Sequence, residues 1–406
     1  MTATKLIFTL TLLLTLQLCF TQPVNDKSTR KELKKEAVIN SEEDLKKFEE
    51  EWRMDSIKLM KEWKDQWLKD SLKFVKQADE TVKQIEKIYQ EKWNPADSLK
   101  YIDDKTKNLF STNNTKTLEE VIAVINKNFT TPLHKTRAVF CWIATNINYD
   151  WDAYTSGLIK TTWDYKKDAL QTFEERKGVC DHYSSLFQYM SEQCGLEAIK
   201  ISGYSKIWPD AKVNTSRTDH AWNAVKINGN WKLMDVTWAS EKDGDMEYFW
   251  FDTPPEKFIY SHLPEDTTCQ FLKNKITLNE YALMPIISKY LFLSKAPITI
   301  PALGYFANTS GVFQVDIKNN SKKYRIEVLI TKMTANNERR FTGDETWQKI
   351  PVSTVRDAKK DAAVYQTVVP GKGSWWIKVN LFEKLNYEFL PEIEFPSCMI
   401  FQVTYL

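Results

Sequence analysis

Past Phe20 the 406-residue chain has no apolar run long enough to cross a bilayer, which takes about 20 consecutive residues, and this excludes a transmembrane helix there. Charge of one sign is also missing. Lys and Arg number 56 against 54 Asp and Glu, for a formal net charge of +2, and the two signs are interleaved. No basic aromatic patch stands out, so nothing in the chain points to nucleic acid. There is no CxxC pair and no HExxH helix, and Asp243, Asp245 and Glu247 do not have the spacing of a calcium loop. That acidic cluster reads as a solvated turn, and neither a metal nor another cofactor is expected.

The N-terminus has features of its own. Lys5 precedes an apolar run from Leu6 to Phe20, too short for a bilayer span, and Thr21-Gln22-Pro23 follows. Residues 1–21 therefore read as a secretory signal peptide, which places the product in the secretory lumen or outside the cell. Five N-x-S/T sequons, at Asn113, Asn128, Asn214, Asn308 and Asn319, fit a glycoprotein of that compartment. Removing the leader takes Cys19 with it and leaves Cys141, Cys180, Cys194, Cys269 and Cys398. With an odd number, at least one thiol stays unpaired within the chain, and Cys180 is the candidate. The other four form two disulfides in one of three connectivities or remain buried thiols.

From Asp26 to Asn94 there is neither glycine nor proline, and periodic apolar residues such as Leu45, Phe48, Trp52, Trp63 and Trp67 run through Lys and Glu. Residues 22–95 are thus read as charged amphipathic helices, a solvated hairpin or stalk through which the chain self-associates if the helices pair. Residues 23 to about 40 are too polar to build a core.

The stretch from Lys177 to Ser240 carries the chemistry. Behind Cys180, the residues Tyr183, Leu186, Phe187, Met190 and Cys194 recur on one helical face until Gly195, which puts Cys180 in the first turn of a helix. Unpaired N–H groups and the positive dipole end favour a thiolate at such a place. Downstream, His220–Ile227 and Trp231–Trp238 flank Asn228-Gly229, a strong hairpin signal. Counting back from that turn sets Trp222 opposite Asp235 and brings His220 to the same sheet face, one diagonal step from the carboxylate. Thiol, base and orienting acid make an activated nucleophile. Trp163, His182 and Trp222 are read as further residues of the cleft.

The motifs RKGVCDHYSSLFQYM, KISGYSK, DHAWNAVKINGNWKLMDVTW and PPEKFIYSHLPED, in this order, resemble the transglutaminase-like cysteine enzyme superfamily, in particular its kyphoscoliosis peptidase-like branch. The resemblance covers roughly residues 117 to 292 and implies a papain-like core in which the positions of Cys180, His220 and Asp235 are nucleophile, base and orienting acid. In one place the chain departs from the pattern. The family commonly has glycine two residues after the nucleophile, where this sequence has His182. Its imidazole either points into solvent or narrows the approach to the sulfur.

The whole reads as an α+β protein: a catalytic domain over residues 96–284, and beyond it, over 285–406, alternating Val-, Ile- and aromatic-rich runs that predict a β-sandwich. The function implied is that of a secreted enzyme transferring acyl groups of protein or peptide substrates. Hydrolysis is favoured over protein crosslinking, and a non-catalytic scaffold is the remaining alternative.

Overall fold

The computed structural model describes residues 97–112, 115–162, 164–206, 215–240, 246–318, 323–334, 346–357, 362–384 and 393–406, together with Lys47, Glu50 and Lys69. The chain separates into two compact units, Met1–Val82 and Lys83–Leu406, and the helices and strands from Asp97 onward belong to the second. The signal peptide and nearly all of the N-terminal helical region lie outside the described residues, as do Trp163, Asn113, Asn214 and Asn319.

Three helices open the described part: α1 (Asp97–Thr112), α2 (Leu118–Asn128) and α3 (Pro132–Asn146). Thr117 and Glu120, three residues apart, form a reciprocal cap at the start of α2. Thr131 caps α3, whose first residue is Pro132, a position where the missing N–H costs no hydrogen bond. Helix α3 is buried from Thr136 through Ala144, so even its arginine is inside. Arg137 donates from Nε and Nη2 to the two carboxylate oxygens of Asp103 on α1, each at 2.8 Å. Its guanidinium also lies 4.5 Å from the ring centre of Phe251.

Next come α4 (Trp151–Ser156), α5 (Tyr165–Glu175) and α6 (Cys180–Gln193). Helix α6 packs on an antiparallel sheet of β1 (Ala198–Ser205), β2 (His220–Ile227), β3 (Asn230–Met234), β4 (Phe251–Thr253) and β5 (His262–Pro264), in the order β4-β3-β2-β1-β5. Asn223 of β2 fixes this packing by donating to the carbonyls of Ser184 on α6, at 3.0 Å, and Ile199 on β1, at 3.2 Å. The β2–β3 hairpin has the predicted register, with Ile227 facing Asn230. Asn228 and Gly229 both take positive φ, as its two-residue turn requires. Gly203 of β1 pairs with His220 on one side and Pro264 on the other. A Cβ there would stand 2.2 Å from the carbonyl oxygen of Leu263 and 2.4 Å from the ring of Trp222, so glycine is what lets the two histidine-bearing strands flank β1.

The C-terminal half is a sandwich. One sheet has the order β6-β13-β12-β8-β9, from β6 (Tyr305–Asn308), β8 (Tyr324–Lys332), β9 (Gln348–Ile350), β12 (Gly373–Glu383) and β13 (Ile393–Tyr405). The other holds β7 (Val312–Lys318), β10 (Ser353–Asp357) and β11 (Ala362–Val368), with Ile298–Thr299 at its edge. The sheets share a core in which Phe313 of one meets Phe401 of the other at 4.9 Å between ring centres. The sandwich is not wholly antiparallel, since β6 runs parallel to β13. Glu247, read from sequence as part of a solvated turn, instead pairs with Lys289 on the connection to this half.

Candidate active site

Cys180 is the first residue of α6, preceded by Val179 in extended conformation. Valine has no side-chain acceptor with which to cap a helix. His182 supplies half of what is missing: its Nδ1 accepts the Val179 N–H at 3.1 Å, and its Nε2 lies 2.9 Å from the carbonyl oxygen of Lys160. Both ring nitrogens are therefore occupied, Nε2 as the donor. The imidazole neither hangs in solvent nor stands free in front of the sulfur. It forms one wall of a cavity of about 440 Å³ beside the helix start, lined also by Asp150, Lys160, Glu175 and Lys177. Tyr149 lies near enough to Cys180 to feel it, its phenol pushed up first by burial and then by Cys180.

His220 begins β2 and is buried, its Nε2 2.7 Å from Oδ2 of Asp235. That contact leaves Nδ1 for Cys180, which lies close enough to join Asp235 in raising the titration of the imidazole. The register brings Asp235 close as expected, but β3 ends at Met234 rather than continuing to Trp238. Asp235 instead caps a one-turn helix, Val236–Ala239, by accepting the Trp238 N–H on Oδ1 at 3.0 Å. The cap fixes the plane of the carboxylate, and the Trp238 ring stacks on His220 at 4.8 Å.

A residue not assigned from sequence completes the group. His262, the first residue of β5, places its Nε2 3.0 Å from the same Oδ2, and its Nδ1 lies 2.8 Å from Oγ of Ser261. Its ring stacks on Phe258 at 3.9 Å. The one available signal was its place within PPEKFIYSHLPED in a chain with only four histidines. Trp222, read as a cleft residue, is a core residue 1% exposed, packed edge-on to His262.

These three buried side chains titrate against one another. Burial works against a charged His220, but the adjacent Asp235 carboxylate outweighs it and raises the imidazole to about 10, so the ring is cationic at neutral pH. Burial would likewise raise Asp235, but His220 and then His262 hold it well below the usual carboxylate range. His262 goes the other way. Burial lowers it to about 4, against the pull of Asp235, and it is neutral at pH 7. Neutral His262 donates from Nε2 to Asp235 and accepts the Ser261 hydroxyl on Nδ1. Among the described residues, His220, Asp235 and His262 are the set of ligand-type side chains close enough to share one ion. At 2.7 and 3.0 Å, however, their atoms already bond to one another, and the arrangement is a hydrogen-bonded network.

A pH dependence of stability follows. Between pH 6.5 and 4 the unfolded chain takes up a proton at residue 262 that the folded chain refuses, so the contribution present above pH 6.5 is lost on acidification. His220 has the opposite sign: its contribution is whole below pH 6.5 and fades as pH climbs toward 10. The urea midpoint should therefore be highest near neutrality. His262→Phe should flatten the acid side, and an unchanged acid slope in that variant would show that His262 is not the group responsible.

All five cysteines among the described residues are free, so the two disulfides do not form; Cys141, Cys194 and Cys398 are buried thiols, and Cys269 is only partly covered. Burial pushes Cys141 up to about 12 and Cys194 up to about 11, and it raises the half-buried Cys269 as well. Cys398 is fully covered. In the folded protein near pH 7, iodoacetamide is expected to label Cys180 first, as read by peptide mass spectrometry. Equal labelling at Cys269 would contradict the assignment of Cys180 as the reactive sulfur. Of the two described sequons, Asn128 donates its side-chain amide to the Val124 carbonyl and Asn308 to that of Val312.

Residues 120–236 match the transglutaminase-like superfamily. Over 175 residues the chain is 31% identical to human Kyphoscoliosis peptidase, a match covering 40% of this chain and 26% of that protein. Over 200 residues it is 26% identical to Hillarin of Drosophila melanogaster, covering 44% and 23% respectively. The chain thus spans about a quarter of the length of these relatives. Among solved structures it is similar to a putative cysteine protease from Cytophaga hutchinsonii, at 21% identity and a TM-score of 0.23 over 32% of this chain and 40% of that one. A second is red sea bream transglutaminase, at 12% identity and a TM-score of 0.26 over 73% and 58%.

Proposed function

Because the chain carries a transglutaminase-like domain of the kyphoscoliosis peptidase-like branch, we propose that it is a cysteine-dependent acyl-transfer enzyme acting on protein or peptide substrates, with hydrolysis as its main outcome. The observation that carries this reading is the juxtaposition of a half-exposed cysteine at a helix start with a buried histidine bonded to a buried aspartate. The Cys180 sulfur forms a bond to the substrate carbonyl carbon, and the oxygen's developing charge falls to the Cys180 N–H, which has no acceptor within its own helix. His220 gives its proton to the departing amine as the C–N bond breaks, leaving a thioester. Water then attacks the thioester, His220 takes its proton, and the acid is released with the sulfur restored. A lysine amine in place of water would yield an isopeptide crosslink by the same steps.

The test is mass spectrometry of a peptide library incubated with the purified protein, with and without a primary amine. Cleaved or deamidated peptides support hydrolysis, and amine adducts support crosslinking. An unchanged library with Cys180 intact would leave a scaffold protein that keeps the fold.

The same proposal places the enzyme in the secretory pathway, on the strength of the Leu6–Phe20 run behind Lys5 and the five sequons. Expression in secreting eukaryotic cells should give exported protein whose mobility shifts on deglycosylation. A retained, unshifted product would remove that part of the reading.

A further inference from the structure

We propose that His262 is a positioning residue for Cys180 chemistry, holding the Asp235 carboxylate ionised and aimed at His220, so that the working unit runs Ser261–His262–Asp235–His220–Cys180. This rests on the acyl-transfer reading only in that the sulfur is the nucleophile. Oδ2 of Asp235 receives two imidazole N–H groups, from His220 at 2.7 Å and His262 at 3.0 Å, while Oδ1 receives the Trp238 N–H. A buried carboxylate needs such donors to keep its charge, and each donor removed makes protonation easier.

Packing alone does not account for a histidine here. The ring lies flat on Phe258, at 3.9 Å and 21° between planes, with Trp238 at 4.3 Å and Trp222 at 4.9 Å, surroundings that suit a phenylalanine. A histidine in this place brings two polar nitrogens into a site 1% exposed, and both are engaged. The Asp235 carboxylate only accepts, which settles Nε2 as the nitrogen that carries the hydrogen, and Nδ1 is left to the Ser261 hydroxyl. The fold makes the contact through Gly203, where the strand of His220 and the strand of His262 flank β1. Asp235 is thus held between two histidines from opposite sides of one strand.

The experiment follows the rate of Cys180 alkylation by iodoacetamide from pH 4 to 9, which needs no substrate. The full chain is compared with His262→Phe, His262→Gln and His262→Asn. The phenylalanine keeps the stacking and removes the donor. The glutamine amide reaches the place of Nε2, whereas the shorter asparagine amide reaches only that of Nδ1. For His262→Phe and His262→Asn, the acid limb of the profile is expected to move to higher pH and the rate at pH 6 to fall about tenfold, as for the loss of one hydrogen bond to a charged group. His262→Gln should stay within about threefold of the wild type, since it keeps that bond. If the phenylalanine variant does not fold, the Gln and Asn pair decides. Profiles equal to the wild type, or Gln and Asn impaired alike, would reduce His262 to a packing residue. Should the wild type cleave no peptide while the His262 dependence of alkylation holds, the acyl-transfer reading falls and this assignment stands.

Discussion

Asp235→Asn is expected to lower peptide turnover by about 10³–10⁴-fold, the scale seen when an orienting aspartate is replaced in a catalytic triad, while leaving the protein folded. The amide oxygen can still accept the Trp238 N–H, which preserves the cap of the one-turn helix. On the other side, an NH₂ group would face two imidazole N–H groups that now meet Oδ2, donors against a donor. His262 would have to change tautomer, and His220 would have to give up its Nε2 proton. His220 would also lose the anion that does most to keep it charged, and burial, then opposed by Cys180 alone, would pull its titration down. Turnover and Cys180 alkylation should fall together, with far-ultraviolet circular dichroism unchanged. An Asn variant alkylated at the wild-type rate at neutral pH would show that Asp235 does not govern the sulfur.

The second large effect is on stability. Arg137→Ala is expected to cost about 3–5 kcal/mol, because it leaves the Asp103 carboxylate buried without its partner. The loss includes the contact of the guanidinium with Phe251 and Tyr248, at 4.5 and 4.9 Å from their ring centres. Burial already pushes the Asp103 carboxyl up, with Arg137 the main opposing influence, so the orphaned acid would take up a proton. Urea denaturation followed by tryptophan fluorescence measures the cost. The double variant Asp103→Leu with Arg137→Met should recover much of it by replacing the pair with apolar volume. A single-variant loss below about 1 kcal/mol would mean that the pair is relaxed by water.

Cys180, His220 and Asp235 were legible because each stands beside a strong local signal. A helix start fixes the cysteine, and Asn228-Gly229 fixes the register that relates the other two. The strands of the sandwich were legible for the same kind of reason: Val312–Lys318 and Tyr324–Lys332 announce themselves by alternation. What escaped was tertiary. His262 lies 27 residues from Asp235, and no local pattern says that two imidazoles will share one oxygen. The run after Met234 alternates like a strand, but the Asp235 side chain captures the Trp238 N–H and turns the backbone into a helix. Trp222 sits on the expected strand, and burial behind His262 takes it out of the cleft. Short strands such as Gln348–Ile350 carry too few residues for periodicity to show.

The cap on α6 constrains how this site can change over generations. A Cβ at Gly178 would stand 2.5 Å from the Cβ of His182, so with histidine in place position 178 is closed to any larger residue. Glycine at 178 tolerates any neighbour at 182, but a side chain at 182 tolerates only glycine at 178. A lineage that acquires the imidazole can return to glycine at 182 in one step, at the cost of the Val179 cap, yet it cannot enlarge position 178 first. Because the nearest contact is to the Cβ of residue 182, which every residue but glycine carries, the two positions cannot both bear side chains, and whichever is enlarged fixes the other as glycine.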